Sequence, residues 1–113
     1  MTPQPELQVA HPADGVTVVS MPEHGLSEAC REVTRQKLFA LADSAPYDEL
    51  RLDFVQVTYL DSSAMALLVA LHRRLHESDG NLVLEKLAPY LVELFKLTRL
   101  DTVLNIQFGE AGS

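Results

Sequence analysis

Apolar residues recur along this chain at two spacings, every second position in some stretches and every third or fourth in others. Leu7-Gln8-Val9-Ala10 reads as a short first strand. Val16-Thr17-Val18-Val19-Ser20-Met21, rich in β-branched residues, reads as a stronger one. Pro12-Ala13-Asp14-Gly15 between them is a turn signal, so the chain is expected to open with a β-hairpin. Pro22-Glu23-His24-Gly25 ends the second strand, and Ser27 then stands where an N-cap is expected. The run from Glu28 to about Asp43 carries Cys30, Val33, Leu38 and Leu41 at helical spacing. Glu28, Arg31, Glu32, Arg35 and Gln36 form its wet side, and Ser44-Ala45-Pro46 closes it.

Period two returns in Leu50-Arg51-Leu52-Asp53-Phe54, a third strand, and Val55 to Leu60 leads on to a pair of serines. From about Ser62 to Glu77 the pattern is helical again. Met65, Leu68, Leu71, His72 and Leu75 make one face, with Ala66, Ala70, Arg73, Arg74 and Glu77 on or near the other. Ser78-Asp79-Gly80-Asn81 stops that helix. Leu82-Val83-Leu84 is a short buried strand, and Pro89 opens a third helix whose stripe is Leu91, Leu94 and Phe95. A final strand is expected from Leu104 to Phe108. Strands alternating with helices of this length predict βαβ units with right-handed crossovers. The expected architecture is one small α/β domain, a mixed but mostly parallel sheet of four to five strands with helices packed on it. Its core runs from about 7 to 108, with mobile tails at 1–6 and 109–113.

Composition narrows the function classes. The chain has 113 residues, 47% of them hydrophobic, which suits one domain with a single core. Its formal net charge is −7, and the largest basic cluster is the pair Arg73-Arg74, so direct nucleic-acid binding has no electrostatic support. No apolar run approaches the length of a membrane span, and Met1 to Glu6 has neither the basic nor the apolar region of a signal peptide. Cys30 stands alone and cannot form an internal disulfide. It fits a small core residue in a reducing cytoplasm.

The candidate chemistry lies at Tyr59-Leu60-Asp61-Ser62-Ser63-Ala64-Met65, where strand pattern gives way to helix pattern. A carboxylate and two hydroxyls there meet the partial positive charge of a helix start. Such a cluster can be a cap, an anion seat or a place where a phosphate is attached. Other candidates are weaker. Asp53 resembles the phosphoacceptor of receiver domains only in lying on a strand; after Val16 to Met21 the chain offers Glu23-His24 instead of an acidic pair. It reads as an outward-facing strand residue. His72 and His76 have i, i+4 spacing but no third ligand at sensible spacing, so no metal or cofactor is expected. Neither serine lies in a Gly-x-Ser-x-Gly elbow.

From about Val16 to Ile106 the chain resembles the STAS domain, in particular bacterial anti-sigma-factor antagonists. Leu52-Asp53-Phe54, Val57 and Tyr59 to Ser63 look like that family's strand and Asp-Ser-Ser/Thr-Gly helix start. Leu71-His72-Arg73-Arg74-Leu75 followed by Gly80 to Leu84 is similar to its helix, glycine turn and strand. Leu94-Phe95-Lys96-Leu97-Thr98-Arg99-Leu100-Asp101 resembles its last helix and exit. The resemblance implies a phosphorylation-controlled protein-binding switch and not an enzyme. The unmodified form would bind an anti-sigma factor that is also a serine kinase, and a phosphatase would reset the modified form. It further implies Ser63 as the acceptor. The partner surface would comprise Asp61, Ser62, Ser63 and Ala64, flanked by the loop holding Gly25 and Leu26. This sequence departs from the family twice. Ala64 stands where the family has glycine, adding a methyl where a partner backbone would approach. Gly25-Leu26-Ser27 lacks the carboxylate that the family usually carries in that loop. Both departures suit an alternative, an unphosphorylated STAS scaffold module in a signalling assembly.

Overall fold

Five strands lie side by side in the order in which the chain makes them, β1 (Gln8–Ala13), β2 (Val16–Ser20), β3 (Glu49–Asp53), β4 (Asn81–Glu85) and β5 (Asn105–Ile106). The computed structural model describes residues 7–44 and 49–107. The expected tails at 1–6 and 109–113, the helix stop at Ala45-Pro46 and the last strand residue Phe108 lie outside them. β1 is antiparallel to β2, and each later pair is parallel. The parallel pairs are bridged by α1 (Arg31–Ser44), α2 (Ser62–Glu77) and α3 (Pro89–Leu97). The expected mixed, mostly parallel sheet is present, with five strands.

Right-handed crossovers that always step in one direction place their helices on one face of the sheet. The core has that shape. Val9, Val19, Leu52, Leu84 and Ile106 are paired neighbours in a row across all five strands. Val19, Leu50, Leu52, Leu82 and Leu84 share one buried cluster with Leu38 of α1, Leu68 and Leu71 of α2, and Leu91 and Phe95 of α3. The opposite face carries the row Val18, Arg51, Val83 and Asn105. There the Arg51 guanidinium donates to Glu85 at 2.9 Å and Gln107 at 3.3 Å and also pairs with Glu49. Glu85 and then Glu49 hold its pKa above the ordinary value.

Local chemistry sets the element ends. α2 is capped by Asp61, and it ends in a Schellman arrangement. In that arrangement Asp79 N–H donates to His76 O and Gly80 N–H to Leu75 O, with Asp79 at φ 62°. The left-handed residue is therefore Asp79, one before the glycine. Pro89 does occupy the first turn of α3.

Four expectations are corrected. β1 runs on through Pro12 to Ala13 past an irregularity after Ala10, which confines the turn to Asp14-Gly15. α1 begins at Arg31, later than Glu28, because Ser27 to Cys30 form tight turns. The Ser27 hydroxyl donates to His24 O at 2.7 Å instead of capping a helix. On α2 the buried stripe is Ala64, Leu67, Leu68, Leu71 and Leu75, with Met65 and His72 half-buried at its edge. α2 packs against both α1 and β4, and this sandwiching rotates the buried centre away from Met65.

Leu68 is fully buried at the centre of this packing. Leu68→Ala is expected to lower unfolding stability by about 2–5 kcal/mol, measured by urea denaturation. A loss below about 1 kcal/mol would contradict the packing described.

Candidate functional site

Each parallel strand delivers the chain to the same edge of the sheet, so α1 and α2 both start there. The two helices are neighbours, and their first turns face each other across a groove. Asp61 is the hub. Its backbone is extended at φ −96° and ψ 178°, and its Oδ1 accepts the Ala64 N–H at 2.8 Å. That bond satisfies one of the free donors of the helix start. Its Oδ2 accepts from Arg31 Nη2 at 2.6 Å, tying the first residue of α1 to the cap of α2. The pair is partly shielded, with the Arg31 side chain 20% and the Asp61 side chain 36% exposed. Arg31 Nε is buried and has no hydrogen-bond partner among the described residues.

Ser62 and Ser63 follow as the first two residues of α2, both exposed. Ser63 lines the groove together with Glu28, Arg31, Glu32, Arg35, Ala66 and Leu67, a space of about 380 Å³. Arg35 forks onto Glu32, with Nη2 at 2.9 Å from Oε2 and Nε at 3.2 Å from Oε1. Its guanidinium also lies 5.5 Å from the Phe39 ring centre. The Arg35 hydrogen bond, aided by Gln36, holds the Glu32 carboxyl below the usual carboxylate range. Glu32 in turn raises the Arg35 pKa. The groove and its rim thus hold Glu28, Glu32 and Asp61 against Arg31 and Arg35, a charge-binding set.

The remaining predicted residues are dispersed by depth. Ala64 is fully buried and Leu26 is 3% exposed, so neither offers a partner appreciable surface; both belong to the core cluster. The Ala64 methyl points into the core cluster and not toward an approaching partner, which reverses the expectation drawn from the missing glycine. Gly25 is buried too. A Cβ there would come 2.8 Å from Pro22 Cγ, and its carbonyl accepts from the buried Thr34 hydroxyl at 2.6 Å. The loop therefore turns Glu23 and His24 outward, while Gly25 and Leu26 anchor it to α1. Asp53 is likewise not outward-exposed. It is 8% exposed, accepts the Val55 N–H at 2.9 Å, and faces Lys86 Nζ at 3.4 Å. Cys30 is buried, and the His72 and His76 rings stack 6.0 Å apart. Among the described residues no three His, Cys, Asp or Glu side chains gather as a metal set.

Sequence reasoning missed two contributors. Arg31 was assigned to a solvated helix face, since nothing local shows a partner thirty positions away. Tyr59 is 64% exposed just before Asp61, as is Val55 at the start of the same loop. The buried Val57 and Leu60 on either side of Tyr59 are the signal that could have found it, because they leave the ring no room inside.

Comparison with known proteins agrees with this architecture. A family model described as "Mlab, STAS domain" matches residues 12–106. The anti-sigma-B factor antagonist of Bacillus subtilis is 31% identical over 80 residues, 71% of this chain and 72% of that protein. The solved structure of an anti-sigma-factor antagonist (STAS) domain protein from Planctomyces limnophilus is 30% identical. It superposes with a TM-score of 0.76 over 88% of this chain and 87% of that one. The Bacillus cell fate determinant SpoIIAA in its phosphorylated form, 18% identical, shares the fold at a TM-score of 0.65 over 93% and 94% of the two chains. The match from residue 12 to 106 takes in every helix and all strands, β1 only in part, and the chain belongs to the STAS domain family.

Proposed function

We propose that this protein is an anti-sigma factor antagonist, a binding switch without catalysis of its own, acting in the cytoplasm. Its partner in this reading is an anti-sigma factor with serine-kinase activity. That kinase modifies Ser63, and a phosphatase restores the free hydroxyl; nucleic acid is not contacted directly. The observation that carries the reading is the exposure of Ser62 and Ser63 at a capped helix start, on a chain related to a Bacillus subtilis anti-sigma-B factor antagonist. No helix among the described residues is long and apolar enough to cross a membrane.

The switch follows from charge. A phosphate on Ser63 adds about −1.5 to −2 charge at neutral pH. The exposed hydroxyl and the N–H groups of the α2 start let the folded chain accept it. A partner packed over the same groove would have to bury that charge beside Glu28, Glu32 and Asp61. A loss of only about 3 kcal/mol in the complex lowers affinity roughly a hundredfold. Binding is then abolished with the fold intact. The second reading, a constitutive STAS scaffold, is favoured by the absent carboxylate in Gly25-Leu26-Ser27.

Incubation with the cognate kinase and ATP, followed by mass spectrometry, is expected to find one phosphate, on Ser63, and none in Ser63→Ala. Ser63→Asp is expected to weaken partner binding by tenfold or more, on the order of 1.4 kcal/mol. Unchanged binding by that variant would favour the scaffold. Tyr59, an exposed aromatic beside the serines, has the chemistry of an interface anchor. Tyr59→Ala is expected to weaken the unmodified complex about tenfold by calorimetry while leaving thermal stability unchanged. Wild-type affinity in that variant would remove Tyr59 from the interface.

A further inference from the structure

We propose that Arg35 is the internal receptor for a phosphate on Ser63, exchanging the Glu32 carboxylate for phosphate oxygens and clamping α1 to the start of α2. This rests on the reading of Ser63 as acceptor and adds what the phosphate does once attached. Ser63 and Arg35 line the same groove from opposite helices. Of the two guanidiniums there, Arg31 is committed to the cap through Asp61 and its side chain is largely shielded. Arg35 is free to exchange. Its side chain is 46% exposed, and among the described residues its one ion pair is a solvated i, i+3 contact with Glu32, itself 64% exposed, beside the contact with the Phe39 ring. Such exposed pairs are weak, whereas a guanidinium fork meets a phosphate with two parallel charge-assisted bonds.

The exchange has two consequences. It releases Glu32 onto the groove rim, where the freed carboxylate joins Glu28 in repelling an acidic partner surface. It also covers the phosphate from within the chain, so the modified form is a closed state of the groove and not merely a more negative one. The charged groups facing the phosphate are Arg31, Glu32 and Arg35 from α1, Glu28 in the turns before α1, and Asp61 before α2. The carboxylates raise the second phosphate pKa and the forked arginine lowers it. Removing Arg35 therefore unmasks the carboxylates.

The test uses the full chain with phosphoserine installed at position 63 during translation, titrated from pH 4 to 8 by phosphorus NMR. The phosphate midpoint is expected about half a pH unit lower in the otherwise wild-type chain than in Arg35→Gln. Arg35→Lys, which keeps the charge and loses the fork, should fall between them. Arg73→Gln removes an exposed charge about 15 Å farther along α2 and should leave the midpoint in place. Equal shifts in Arg35→Gln and Arg73→Gln, or no shift in either, would overturn the clamp. Thermal melts of each variant verify that it is folded. The kinase assay asks whether Ser63 is modified and this titration asks what the phosphate touches, so either can fail alone.

Discussion

Strand order is the constraint on which the rest depends. Four parallel strands laid down in sequence and joined by three crossovers that step in the same direction leave the helices no choice of face under the right-handed rule. One face of the sheet becomes the core, sealed by the apolar row from Val9 to Ile106, and the other is closed by charge around Arg51. The same order makes α1 and α2 neighbours with parallel directions, so their first turns meet at one edge. The juxtaposition of Arg31 with Asp61, and of Arg35 with Ser63, is a product of topology before it is a product of any motif.

Within that frame the site separates two tasks by depth. Buried residues hold geometry, Ala64 and Leu26 packing inward and Thr34 tying the Gly25 carbonyl to α1, and the half-buried Asp61 adds the cap of α2. Exposed residues hold chemistry: Ser62, Ser63, Glu28, Glu32 and Tyr59 meet solvent. A charge added on the outer layer changes what can dock without loosening the inner one. Ala64 fits this division. Alanine in place of glycine in the first turn favours helix by about 0.5–1 kcal/mol, and its methyl goes to the core and not to the surface.

Much of this was legible in the residues because the chemistry involved is local. Asp61 before Ser62, Pro89 at a first turn, and the β-branched run from Val16 announce their elements without reference to anything distant. What escaped depends on contacts between elements. Ser27 has the composition of an N-cap, but the loop is drawn down by Thr34 onto Gly25, and its hydroxyl turns back to His24. Alternation put Asp53 on the helix-free face but could not tell that Val55 and Lys86 would cover it. Arg31 reads as one more solvated arginine until the topology brings Asp61 beside it. Family resemblance supplied the proposed acceptor position, and the fold supplied its surroundings.

In the proposed function, partners meet this protein at the shared start of α1 and α2. Amide chemical-shift mapping of the unmodified, isotope-labelled chain titrated with the anti-sigma partner tests that claim directly. Perturbations are expected to concentrate at Ser62, Ser63, Glu28, Glu32, Tyr59 and the outward loop residues Glu23 and His24. Perturbations concentrated instead on the helix-free face, around Val18, Arg51 and Asn105, would contradict it.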